Sequence, residues 1–284
     1  MMDTWLMIFT AITVAVPASL LGVLLVARKM VMIADAISHS VLPGIVVSFL
    51  LFNSREGWIM LLAALLSGLL STVLINFLKF KLHVREDAAI GSVFTFMFAA
   101  GVLGIAIFAG SNTDLDQDCL LYGDLETSVL DQLIIQGRVW GTRALLQQFV
   151  MTAGIISVLV IARKTWKIWA FDPDFGKSIG MRIRSWEMVL LFMVSIYAVL
   201  SFESVGVVLV IGLLVLPPAT AMQLTRNYRL TFIYSACIGV LVSVVGVYVA
   251  KGFDISIAPT IVTINGLLFA TIIFAKHLRV LSEG

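Results

Sequence analysis

The sequence predicts an all-α integral membrane protein, a polytopic bundle of about eight to nine transmembrane helices forming a single domain over residues 1–284. Three observations carry this prediction. Of the 284 residues, 60% are hydrophobic and only 13% charged, with a mean hydropathy of +1.06, so the chain lacks the polar surface that a water-soluble globule of this length needs. Apolar runs long enough to cross a hydrocarbon core of about 30 Å recur along it. Its basic residues are also segregated between alternating connections, the pattern that sets membrane topology.

The runs lie near 5–27, 30–52, 58–78, 89–109, 146–162, 187–202, 204–225, 231–250 and 257–275. The first contains Pro17 and has Arg28 and Lys29 after it rather than a basic stretch before it, so it is expected to be an uncleaved span and not a secretion signal. The second, M-V-M-I-A-D-A-I-S-H-S-V-L-P-G-I, alone carries two ionisable groups near its middle. The third and fourth flank the polar loop K-F-K-L-H-V-R-E-D. Before the fifth, Gln132 to Gln147 reads either as a partly embedded approach to that span or as a surface helix. The sixth follows a polar loop, and the seventh to ninth are separated by short connections at Arg226–Arg229 and around Lys251.

With nine spans, the connections divide into two alternating sets. The loops around 28–29, 79–85, 163–184, 226–229 and 276–279 hold 15 of the 19 basic residues, against Arg55, Arg138, Arg143 and Lys251 in the other set. That bias predicts an N-terminus outside and a C-terminus in the cytoplasm. The external set also takes an acidic run, Asp114, Asp116, Asp118, Asp124, Glu126 and Asp131, which reads as a solvated face able to raise the local cation concentration. A formal net charge of +2 gives no basic face for nucleic acid. Cys119 and Cys237 lie in a polar stretch and an apolar run, an arrangement that argues against a disulfide and rules out a cysteine metal cluster.

An ionisable residue inside a span costs on the order of 3 kcal/mol, so each is a functional candidate. Asp35 and His39 are four residues apart, hence on one helical face and within reach of one ligand. Carboxylate and imidazole together suit zinc, manganese or iron. Counted from Met30, His39 lies roughly 14 Å into its span, about the bilayer midplane. Pro43 and Gly44 follow directly, a pair that bends a helix and frees backbone carbonyls, tolerable only beside protein or a cavity. The residues by themselves leave two readings open: a metal site, or a hydrogen-bonded pair with Ser38 and Ser40 that glues helices together. Two ligands cannot close a metal shell, so a metal would need water, another span or a second copy of the chain. A ligating imidazole is neutral, so acid would oppose loading. His83 and His277 lie in polar segments and read as surface residues, and Glu203 reads as an interfacial group.

Gly176-Lys177-Ser178 imitates the end of a phosphate-binding loop, but Phe171 stands where that motif needs glycine, so no nucleotide site is expected. No nucleophile elbow or H-E-x-x-H occurs, and the chain is expected not to be an enzyme. The loop A-F-D-P-D-F-G-K-S-I-G, near 170–180, reads as a short surface helix started at Asp172-Pro173 and stopped at Gly180.

The motif D-A-I-S-H-S-V-L-P-G-I at 35–45 resembles the signature of the permease subunits of zinc, manganese and iron ABC importers. Further matches run in that family's order: E-D-A-A-I-G at 86–91, L-L-Y-G-D-L at 120–125, A-F-D-P-D-F at 170–175, G-V-V-L-V-I-G-L-L-V-L-P-P-A-T-A at 206–221 and I-A-P-T-I-V at 257–262. The resemblance implies an importer permease of a bacterial plasma membrane, with Asp35 and His39 as metal ligands and Phe171, Asp172, Pro173 and Phe175 in an ATPase-docking coupling helix. It also implies a second permease subunit, identical or homologous, a cytoplasmic ATPase dimer and an extracytoplasmic metal-binding protein. The transported ion is expected to be manganese, zinc or iron, with no permanently bound cofactor. The alternative from the residues alone is a proton-coupled secondary metal transporter using Asp35.

Overall fold

The computed structural model of the chain describes residues 2–52, 57–108, 132–135 and 138–283. In order, the elements are α1 (Met2–Ala27), α2 (Val31–Ser40), α3 (Leu42–Phe52), α4 (Gly57–Lys81), α5 (Glu86–Phe108), β1 (Gln132–Ile135), β2 (Arg138–Thr142), α6 (Arg143–Ile161), α7 (Arg163–Phe171), α8 (Pro173–Ser178), α9 (Ile183–Val205), α10 (Val207–Leu224), α11 (Tyr228–Phe253) and α12 (Ile257–Glu283). Among the described residues, nine segments are long and apolar enough to cross a membrane, with α2 and α3 together making the second. The predicted all-α membrane class therefore holds.

The chain divides into two compact units. The first takes Met1–Lys29, Gly123–Pro173 and Ser204–Gly284. Here α1 packs on α10, α11 and α6, and α12 packs on α10 and α11. The inner face of α1 is built from small and aliphatic residues, with Ala11, Val14, Ala15, Ala18 and Leu21 fully buried. Lipid is as apolar as these side chains, so close packing and hydrogen bonds must hold the helices together. Ser235 donates to the Ser19 carbonyl at 3.0 Å, and Thr152 to the Thr13 carbonyl at 2.7 Å.

The second unit takes Met30–Tyr122 and Asp174–Glu203. In it α2 and α3 pack against α4 and α5, and Val41, Ile45, Ala64 and Val199 form a buried cluster. The α4–α9 contact is antiparallel and partly polar: Gly68 faces Val199, and the hydroxyls of Thr72 and Ser195 lie 2.9 Å apart.

Two sequence expectations are corrected in detail. The segment from Gln132 is neither an embedded approach nor a surface helix, because residues 132–142 contain a two-stranded antiparallel hairpin and α6 begins only at Arg143. The β-branched Ile134, Ile135, Val139 and Thr142 favour extended backbone, and Thr142 then caps the helix by accepting from the Leu145 N–H at 3.1 Å. The sixth span also starts earlier than its apolar run, at Ile183. Its added first turn places Arg184 over the Phe80 ring, 4.3 Å from the centroid, and just beyond that turn Glu187 stands beside Lys79, so both charges find tertiary partners.

Candidate functional site

The short helix α2 presents Asp35 and His39 from consecutive turns. His39 Nε2 stands 3.8 Å from Asp35 Oδ1, too far for a hydrogen bond. Two ligands bound about 2.1 Å from a tetrahedral ion would be about 3.4 Å apart, so a small side-chain rotation would let both reach one ion. The side chains of His39 and Asp35 are 30% and 56% exposed respectively, which makes the pair accessible rather than sealed. Among the described residues no third His, Cys, Asp or Glu joins them.

The neighbouring serines serve the backbone. Ser38 donates to the Asp35 carbonyl and Ser40 to the Ala36 carbonyl, each at 2.6 Å, leaving the Asp35–His39 face to the two ionisable groups. The imidazole is held by α5, with the Phe94 ring 5.1 Å and the Phe98 ring 5.5 Å from its centroid, both edge-on. His39 Nδ1 is buried without a hydrogen-bond partner in the protein. The ring is thus oriented by aromatic contact, with Nε2 turned to the carboxylate side.

Directly beyond the pair the helix is interrupted at Val41. Pro43 has no N–H for the His39 carbonyl, and the Ser40 carbonyl is taken by Ser67 of α4, whose hydroxyl donates at 2.6 Å. Regular bonding resumes with the Ile45 N–H to the Val41 carbonyl at 3.2 Å. Gly44 sits so close to α4 that a β-carbon there would overlap the Ala63 carbonyl and the Ser67 side chain. Proline and glycine together thus make the break and let α3 dock.

The sequence-predicted docking residues lie in a separate segment. α7 ends at Phe171, and Asp172, with φ −144° and ψ 66°, leaves the helical region ahead of the proline. Pro173 then opens α8 at the first helical position, where its missing N–H costs nothing. Phe171 and Phe175 are both exposed, at 47% and 51%, and the Phe171 ring packs edge-on against Tyr228, 5.4 Å away. α8 closes at Gly180, whose φ of +80° suits glycine, and the Met181 N–H returns to the Gly176 carbonyl at 2.9 Å.

A helical membrane chain with this motif order matches the sequence profile of the ABC 3 transport family over residues 4–276. The chain belongs to that family. It is 37% identical to the manganese transport system membrane protein MntD of Bacillus subtilis over 95% of this chain and 90% of that protein. It is 35% identical to the zinc transport system membrane protein TroD of Treponema pallidum, over 93% of this chain and 72% of that protein. Among solved structures, PsaBC from Streptococcus pneumoniae in complex with Fab superposes with a TM-score of 0.74 at 25% identity, covering 94% of this chain and 89% of that one.

In this ABC 3 family member the sequence pointed to Asp35 and His39, and to the Pro43–Gly44 pair beyond them, but not to what surrounds them. Phe94, Phe98 and Ser67 carry no signal among the many phenylalanines and serines of apolar spans. His83 and His277 are exposed, as expected of surface residues. The acidic run from Asp114 to Asp131, the L-L-Y-G-D-L motif and the side chain of Glu203 lie outside the described residues.

Proposed function

We propose that this chain is the membrane permease subunit of an ATP-driven importer of a divalent transition metal ion, manganese, zinc or iron, and that Asp35 and His39 bind the ion in transit. The observation that carries the reading is the accessible Asp35–His39 pair, at a spacing near that of two ligands on one ion. The transport systems of the relatives support the metal class. Since one chain supplies two ligands, a second permease subunit, identical or homologous, completes the shell with its own pair.

The ion arrives from an extracytoplasmic metal-binding protein, loses most of its water between the two permeases and leaves toward the cytoplasm. The basic loops, and with them the C-terminus, face the cytoplasm of the bacterium. There a separate ATPase dimer docks on the α7–α8 segment, with Phe171, Asp172, Pro173 and Phe175 at the contact, and its cycle alternates access to the site. The break at Pro43 and Gly44 shapes the pathway beside the pair.

The test is metal binding by the purified permease with zinc, manganese and iron(II), wild type against Asp35→Ala and His39→Ala, together with uptake in cells lacking the partner ATPase. Loss of one ion in both variants, with uptake abolished by loss of the ATPase, is expected. Unchanged binding would reduce the pair to a helix contact, and uptake that persists without the ATPase and collapses with an uncoupler would establish proton-coupled transport instead.

A further inference from the structure

Three charged residues that the transport reading leaves unused converge at one end of the second unit. Lys79, in the last turn of α4, stands 2.6 Å from Glu187 of α9 and 2.9 Å from Glu86, the first residue of α5. The Glu187 side chain is only 4% exposed, so without the ammonium its charge would be buried and uncompensated. One cation thus ties together the ends of three spans. Arg184, stacked over Phe80, fastens α9 to α4 at the same level.

From this point two rigid paths lead to the His39 region. Along α5, Phe94 and Phe98 follow Glu86 by about two and three turns and bear on the imidazole. Along the antiparallel α4–α9 contact, Thr72 pairs with Ser195, and one turn further Ser67 bonds the Ser40 carbonyl at the helix break. In the other direction α9 follows the Gly180 turn that closes α8, with four residues between the two helices. α8 is therefore joined to Glu187 by short, hydrogen-bonded chain.

We propose that Lys79 is a positioning residue for the metal pair: by holding Glu187 and Glu86 together it fixes α9 and α5 against α4, so that displacement of α8 reaches the Phe94–His39–Phe98 contact. This rests on the reading of Asp35 and His39 as the transport site. A triad that served stability alone would set the melting temperature and leave the imidazole where it is.

The experiment uses the full-length permease in lipid nanodiscs with isotope-labelled histidine. There are three histidines, and His39→Asn assigns the resonance that the two phenyl rings displace. Lys79→Met and Glu187→Gln are expected to move the His39 ring signal toward those of the exposed His83 and His277, and to weaken zinc binding about threefold to tenfold. Lys79→Arg is expected to restore both. A His39 signal unmoved in folded Lys79→Met overturns the proposal. If that variant does not fold, the double variant Lys79→Met/Glu187→Gln, which removes the tie and leaves no uncompensated Glu187 charge, decides it: an unmoved signal overturns it. Should the variants move the signal while zinc never shifts it in the wild type, the metal reading fails and the role of Lys79 in placing His39 stands.

Discussion

The Ser67 hydroxyl donates a 2.6 Å hydrogen bond to the Ser40 carbonyl at the point where α2 gives way to α3. Both residues are buried, and in a lipid environment a carbonyl freed by a helix break must find a partner within the protein. Ser67→Ala removes that partner while changing little volume. It is expected to cost about 1 kcal/mol, read as a lowered melting temperature in detergent. Metal uptake should fall more than stability does, because the break adjoins His39. Ser67→Thr, which keeps the hydroxyl, should recover part of both.

Gly44 gives a harsher case. The obstacle to a side chain there is the Ala63 carbonyl, which is backbone and cannot swing away. Gly44→Ala must therefore push α3 off α4, and a loss of about 1–3 kcal/mol is expected, as for overpacking elsewhere. Gly91, by contrast, has open space where its β-carbon would be. Gly91→Ala in the second turn of α5 should leave stability unchanged or raise it slightly. Thermal unfolding of the two variants side by side checks the contrast.

These residues also mark where sequence reading stops. The nine candidate spans among the described residues were legible because hydropathy reports directly on the solvent a helix faces, and Asp35 and His39 stood out because charge is rare in that solvent. Ser67 was not legible, since a serine in a span reveals its purpose only when the helix opposite is known. Lys79 and Glu187 are 108 residues apart, and no local pattern links the two. The hairpin at 132–142 was missed because polar composition outweighed β-branched residues too few to form a clear alternation.

The phenyl rings on His39 predict an effect on metal affinity without any change of ligand. Phe94→Ala or Phe98→Ala frees one side of the imidazole, which no protein hydrogen bond at Nδ1 restrains. Ligand-orienting neighbours of metal sites typically change affinity by about 10- to 100-fold. Each single variant is expected at the lower end of that range, with the double variant near the upper end, measured by competition with a chelating dye. Replacement by Leu should recover less than replacement by Tyr, if ring shape rather than bulk holds the imidazole.

On the proposed function, Phe175 separates ATPase docking from metal binding. Its ring is half exposed on α8, in a segment remote in sequence from Asp35 and His39, and exposed aromatic residues at the centre of an interface commonly carry much of its free energy. Phe175→Ala should leave metal binding by the isolated permease at the wild-type level. In proteoliposomes with the partner ATPase it should lower metal-dependent ATP hydrolysis and uptake together, by about tenfold. A different result would be informative in a definite way. If hydrolysis stayed high while uptake fell, α8 would transmit motion without contributing to attachment, and the ATPase would be anchored elsewhere on the basic loops.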